Sequence, residues 1–99
     1  MRLSPHTQQI IRDTVVEIFG SNTAVIVFGS RINDEARGGD IDLLVKSNEP
    51  IPESRRKALQ LAARLQVRLG DQPIDILTVD PKTVLQSIHK EGLRTGIRL

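Results

Sequence analysis

The sequence predicts a small α/β sandwich: one mixed sheet of three or slightly more strands, with helices packed on it. Two observations carry this. Short β-branched runs, TAVIVF at Thr23–Phe28 and IDILTV at Ile74–Val79, alternate along the chain with segments of helical periodicity. The connection between the first two strands is short, so that pair can run antiparallel while the rest cross over through a helix.

Each element has a local cause. Ser4-Pro5 starts a helix with a capping hydroxyl and a proline at the first helical position. Ile11, Val15, Ile18 and Phe19 continue it on one face to about residue 19, and Gly20 stops it. Thr23–Phe28 is a strand expected to be buried on both faces. Arg31–Arg37 reads as a short helix or turn, broken by Gly38-Gly39, and Asp40–Val45 as the second strand. After a two-proline loop, Ser54–Leu69 is the longest helix, with Ala58, Leu61, Ala62, Leu65 and Leu69 on one face and Gly70 closing it. Ile74–Val79 is the third strand. Asp80-Pro81 opens a last helix carrying Val84, Leu85 and Ile88, with Gly92 as its stop. The tail LRTGIRL has no readable period. Its Leu93, Ile97 and Leu99 are expected to stay unburied and available for a heteromeric or self contact.

Composition bounds the function. The chain has 99 residues, room for one domain. Hydrophobic content of 38% and charged content of 26% suit a soluble globule. There is no apolar run of the roughly 20 residues a membrane span needs, and MRLSPHTQQ carries no apolar signal segment. Cysteine is absent, which removes disulfides and thiolate metal sites and fits a cytoplasmic setting. A net charge of +2 does not argue for nucleic acid. With Phe19 and Phe28 as the sole aromatic residues there is almost no stacking platform for single strands, so direct nucleic-acid binding is disfavoured.

The chemistry concentrates in FGSRINDEARGGDIDLLV, Phe28–Val45. Asp40 and Asp42 share a face of the second strand, with Cα atoms about 6.5–7 Å apart. A bare D-x-D is ordinarily two solvated acids at the exposed start of a strand; the alternative is a pair of ligands for Mg²⁺ or Mn²⁺. Three neighbours favour the alternative. Gly29-Ser30-Arg31 directly after a strand offers backbone N–H groups and a hydroxyl to phosphate. Asp75 enters the third strand just before Ile76-Leu77, as Asp42 does before Leu43-Leu44. The order places phosphate at one sheet edge and metal beside it. Competing motifs fail. In haloacid dehalogenase-type phosphatases the apolar strand precedes D-x-D, whereas here it follows, and Leu44 holds the last motif position. G-x-x-x-x-G-K-[ST] and H-E-x-x-H are absent, and His6 and His89 read as helix-surface residues.

F-G-S, nine residues, then D-I-D-L-L-V resembles the minimal nucleotidyltransferase domains of the DNA polymerase β superfamily. The residue before the first acid is often Ser in those domains and is Gly39 here. The resemblance covers nearly the whole chain as one such domain, and at this size it is similar to the antitoxin half of toxin–antitoxin modules whose partner is a helical HEPN protein. It implies Asp40, Asp42 and Asp75 as catalytic, metal-binding acids for two Mg²⁺ (or Mn²⁺) ions, with ATP as nucleotide substrate. Gly29, Ser30 and Arg31 would hold its phosphates. The activity implied is AMP transfer to a hydroxyl of the partner protein. Two rivals stand beside it: a non-catalytic binding module that neutralises its partner by contact, and transfer to a small molecule. Arg55, Arg56 and Lys57 in the first turn of the long helix, with Arg64 and Arg68 further on, read as a solvated face, or as a surface for an acidic partner.

Overall fold

The computed structural model describes residues 3–29 and 40–99. The elements run α1 (Pro5–Phe19), β1 (Thr23–Phe28), β2 (Ile41–Ser47), α2 (Ser54–Leu69), β3 (Ile74–Val79), α3 (Ser87–Thr95) and β4 (Ile97–Arg98). The expected segment Arg31–Arg37 lies outside the described residues. The α1 start forms as its sequence dictates: Ser4 Oγ accepts the Thr7 backbone N–H at 3.1 Å, and Pro5 occupies the first turn.

The strands make a mixed four-stranded sheet in the order β3-β2-β1-β4. β1 pairs antiparallel with β2 and β4, and β2 pairs parallel with β3 through the α2 crossover. Residue parity divides the sheet into two faces. Val25, Val27, Ile41, Leu43 and Val45 form the main core with Ile11 and Val15 of α1 and Leu61 and Leu65 of α2. Phe28, Leu44 and Val79 form a second core on the opposite face, with Leu93 of α3 packed against it. Seven of these side chains, Ile11, Val27, Leu43, Leu44, Val45, Leu61 and Leu65, are wholly buried. Full burial of such a side chain contributes roughly 1.5–3 kcal/mol, so they anchor the fold. β1 is less enclosed than expected: Thr23, Ala24 and Ile26 are only partly buried.

Two expectations are corrected at the C-terminal end. The last helix starts at Ser87, not at Asp80. Asp80 is occupied otherwise: its carboxylate accepts the Ile51 N–H at 2.8 Å and the Lys82 N–H at 2.8 Å. It thereby ties the end of β3 to the loop before α2. The helix is capped instead by Gln86 and His89, whose Nδ1 accepts the Gln86 N–H at 3.0 Å. Gly92 does not stop the helix. It lies inside α3, where a Cβ would press on Leu44 and Phe28 at 3.2 and 3.3 Å. The tail is not loose either. Ile97–Arg98 pairs with β1, the Leu99 N–H reaches Val25 O at 3.0 Å, and Leu93 and Leu99 pack on the cores. A two-residue strand is too short to show periodicity, which is why its sequence is unreadable.

A further tie between the helices also escapes the sequence. Arg64 and Arg68 are more than a solvated face: Glu17 of α1 sits at 3.6 Å from Arg64 and 2.7 Å from Arg68. Arg68 also donates to the buried Thr14 hydroxyl at 2.8 Å, which itself donates to Ile10 O.

At Gly96, where α3 turns into β4, an added Cβ would collide with Ile26 Cγ2 and the Gly92 carbonyl. Gly96→Ala is therefore expected to lower unfolding free energy in urea by about 1–3 kcal/mol. Gln66→Ala, on the exposed side of α2, should stay within about 0.5 kcal/mol of wild type.

Candidate active site

The sheet register builds the site. Antiparallel pairing sets Phe28 beside Asp42, and parallel pairing sets Asp75 on the other side of Asp42. The Ile41 N–H to Pro73 O bond, 3.0 Å, holds the two strand entrances level. Adjacent strands lie about 4.8 Å apart, so the carboxylates of Asp42 and Asp75 are neighbours on the α3 face of the sheet. Asp42 is half-buried and Asp75 exposed. Asp40 falls just ahead of β2, not within it, and is exposed, yet its charge reaches Asp42.

Gly29 ends β1 at φ +75, a left-handed conformation that favours glycine. A Cβ there would collide with Asp42 Oδ2. The glycine of the sequence motif is thus required twice, by the turn and by the carboxylate lying against it. Ser30 and Arg31, the other residues assigned to phosphate, lie outside the described residues.

The electrostatics of the pair are unfavourable as they stand. Burial pushes the Asp42 carboxyl above the usual carboxylate range, and the charges of Asp75 and Asp40 and a hydrogen bond with Asp75 add to the rise. Among the described residues no cationic side chain pairs with any of the three acids. Nor, among them, are three Asp, Glu, His or Cys side chains gathered into a metal-holding group. What the fold supplies is a carboxylate pair with a third acid alongside. All three are hard oxygen donors, and a bound dication would relieve their repulsion, so the donor chemistry fits Mg²⁺ or Mn²⁺.

No helix among the described residues is long and apolar enough to cross a membrane. A family model described as a nucleotidyltransferase domain matches residues 9–95. A search of curated proteins returned no match.

Two variants probe the geometry. Gly29→Ala places a methyl against the Asp42 carboxylate and a side chain in the left-handed region, which costs about 1–2 kcal/mol in stability. It should also weaken nucleotide binding, read by calorimetric titration. Asp42→Asn acts in the other direction. A carboxyl with a raised pKa holds its proton more tightly in the folded chain than in the unfolded one. The stability it lends is present at low pH and is lost as pH rises through the folded value. Metal-free Asp42→Asn should therefore melt above wild type at neutral pH, with the difference shrinking as pH falls below the usual carboxylate range. Equal melting curves at neutral and acid pH would contradict the charge crowding.

Proposed function

The chain belongs to the nucleotidyltransferase domain family, and we propose that it is a metal-dependent enzyme that moves AMP from ATP to a hydroxyl of a partner protein. The observation that carries this reading is the row Asp42–Asp75 packed beneath the Gly29 turn. It combines a dication-suited pair of acids with a backbone turn at which a phosphate can approach closely.

In this reading Asp40, Asp42 and Asp75 would hold the divalent ions. Bound there, the ions supply charge stabilisation for the attacking and leaving oxygens. The residues supply the rest. Gly29, with Ser30 and Arg31, orients the β- and γ-phosphates. Asp75, the most exposed strand carboxylate of the pair, accepts the acceptor hydroxyl's proton. The hydroxyl oxygen forms a bond to the α-phosphorus, the bond from that phosphorus to the bridging oxygen breaks, and pyrophosphate leaves with the electron pair. The small sheet offers one wall of a site, and the acceptor protein supplies the other. A helical HEPN-type protein is the partner the resemblance implies, and in this reading the chain acts as its antitoxin.

The test is Asp42→Asn. The amide keeps the shape of the side chain and is a poorer ligand for a hard cation. Purified chain and the neighbouring gene product are incubated with ATP and Mg²⁺, and the partner's intact mass is measured. Wild type should add one AMP. The variant should be slower by about a thousandfold or more, with partner binding retained. If neither adds AMP and both silence the partner equally, the chain acts by contact alone.

A further inference from the structure

α2 presents a second face to solvent, on the side away from the acid pair. Its sixteen residues hold Arg55, Arg56, Lys57, Arg64 and Arg68 and no acid. Glu53 and Glu17 offset part of that charge, through Arg56 at 3.4 Å and through Arg64 and Arg68. Arg55 and Lys57 have no ion-pair partner among the described residues.

The same helix carries an outward apolar row. Leu61 and Leu65 point into the core, whereas Leu59 is 69% and Val67 86% exposed. With the exposed Ala63 between them they recur at every fourth residue, a ridge directed away from the sheet. The row spans about 12 Å along the helix. A hollow of about 630 Å³ adjoins Leu59 at one end, and another of about 480 Å³ adjoins Ala63 and Val67 at the other. A third, of about 270 Å³, runs from Arg55 and Leu59 to Asp75 on the edge strand β3.

We infer that this face docks an amphipathic helix of a partner protein, with apolar residues over the Leu59–Val67 row and Asp or Glu against the flanking arginines. A lone row of three apolar side chains between hollows matches ridges-into-grooves packing of a second helix, and the one-sided charge selects an acidic one. An extended peptide would add to the free edge of β3 instead. Nucleic acid leaves the exposed leucine and valine unexplained, and a membrane needs a broader apolar face than one row. The hollow that reaches β3 is lined by Ile74 and Ile76 and lies on the α2 side of that strand, opposite the acid pair. The docking does not rest on the transfer reading.

The experiment uses the full isotope-labelled chain and a synthetic helical peptide of about 20 residues, with leucines at heptad core positions and glutamates beside them. A lysine-for-glutamate peptide is the control. Amide shifts should change along Arg55–Arg68, and raising salt should weaken binding. Leu59→Glu with Val67→Glu, both exposed positions, should lower affinity at least about tenfold, as should Arg55→Glu with Arg56→Glu. Melting curves and ATP binding should be unchanged in both double variants. Absence of binding, shifts confined to another face, or equal binding of the lysine peptide would overturn the inference. So would anionic vesicles or duplex RNA binding the chain with the same dependence on these four residues. Asp42→Asn should keep full peptide binding. Loss of transfer with binding intact in wild type would sink only the catalytic reading, and transfer without peptide binding would sink only this one.

Discussion

The position of β2 between β1 and β3 is the constraint on which the rest of the molecule depends. Within Ile41–Val45, every residue but one is wholly buried or nearly so, and the exception is Asp42. Ile41, Leu43 and Val45 face α1 and α2, while Leu44 faces α3. A slip of one residue would turn Asp42 into the main core and three apolar side chains toward the other face. The apolar residues therefore fix the register, and the register alone puts one carboxylate beside another and beneath a glycine. Mutual repulsion is the cost of that placement, and it is tolerated because the core on both sides of the strand outweighs it.

The two faces of the sheet divide the labour. The α1–α2 side holds most of the buried apolar surface, and its helices are further joined through Thr14, Glu17 and Arg68. The α3 side is thinner. Phe28, Leu44 and Gly92 meet there at close range, and they seat α3 next to the row that contains Asp42. A site built at the lightly covered end of a sheet, with a rigid core behind it, can be open to a nucleotide without loosening the fold. α2 serves both the core and the surface, since its inner face closes the core and its outer face carries the exposed Leu59–Val67 row, with Arg55, unpaired among the described residues, at one end.

Much of this was legible in the residues because it rests on local rules. Ser4-Pro5 and Gly20 bound α1 where capping chemistry says they should, and the β-branched runs at Thr23 and Ile74 became strands with the expected limits. The mixed sheet followed from one short and one long connection. The equivalence of Asp42 and Asp75 could be read from the matching apolar residues after each, and parallel pairing converts that match into contact. What could not be read depends on contacts distant in sequence. Asp80 looks like a helix start until Ile51, twenty-nine residues away, supplies the N–H that holds it. Gly92 looks like a stop until Phe28 and Leu44 show why it must be small. Ile97–Arg98 is a strand only because Ile26 and Val27 leave an edge free for it.

The central claim is that the sheet register makes Asp42 and Asp75 a divalent-metal pair. Its most direct test is a crystal of the chain grown with Mn²⁺ and a non-hydrolysable ATP analogue, with anomalous scattering measured for manganese. The account predicts manganese within about 2.0–2.3 Å of carboxylate oxygens from both Asp42 and Asp75, with the analogue's phosphates against Gly29. Manganese bound elsewhere, or a nucleotide seated away from these two acids, would contradict it.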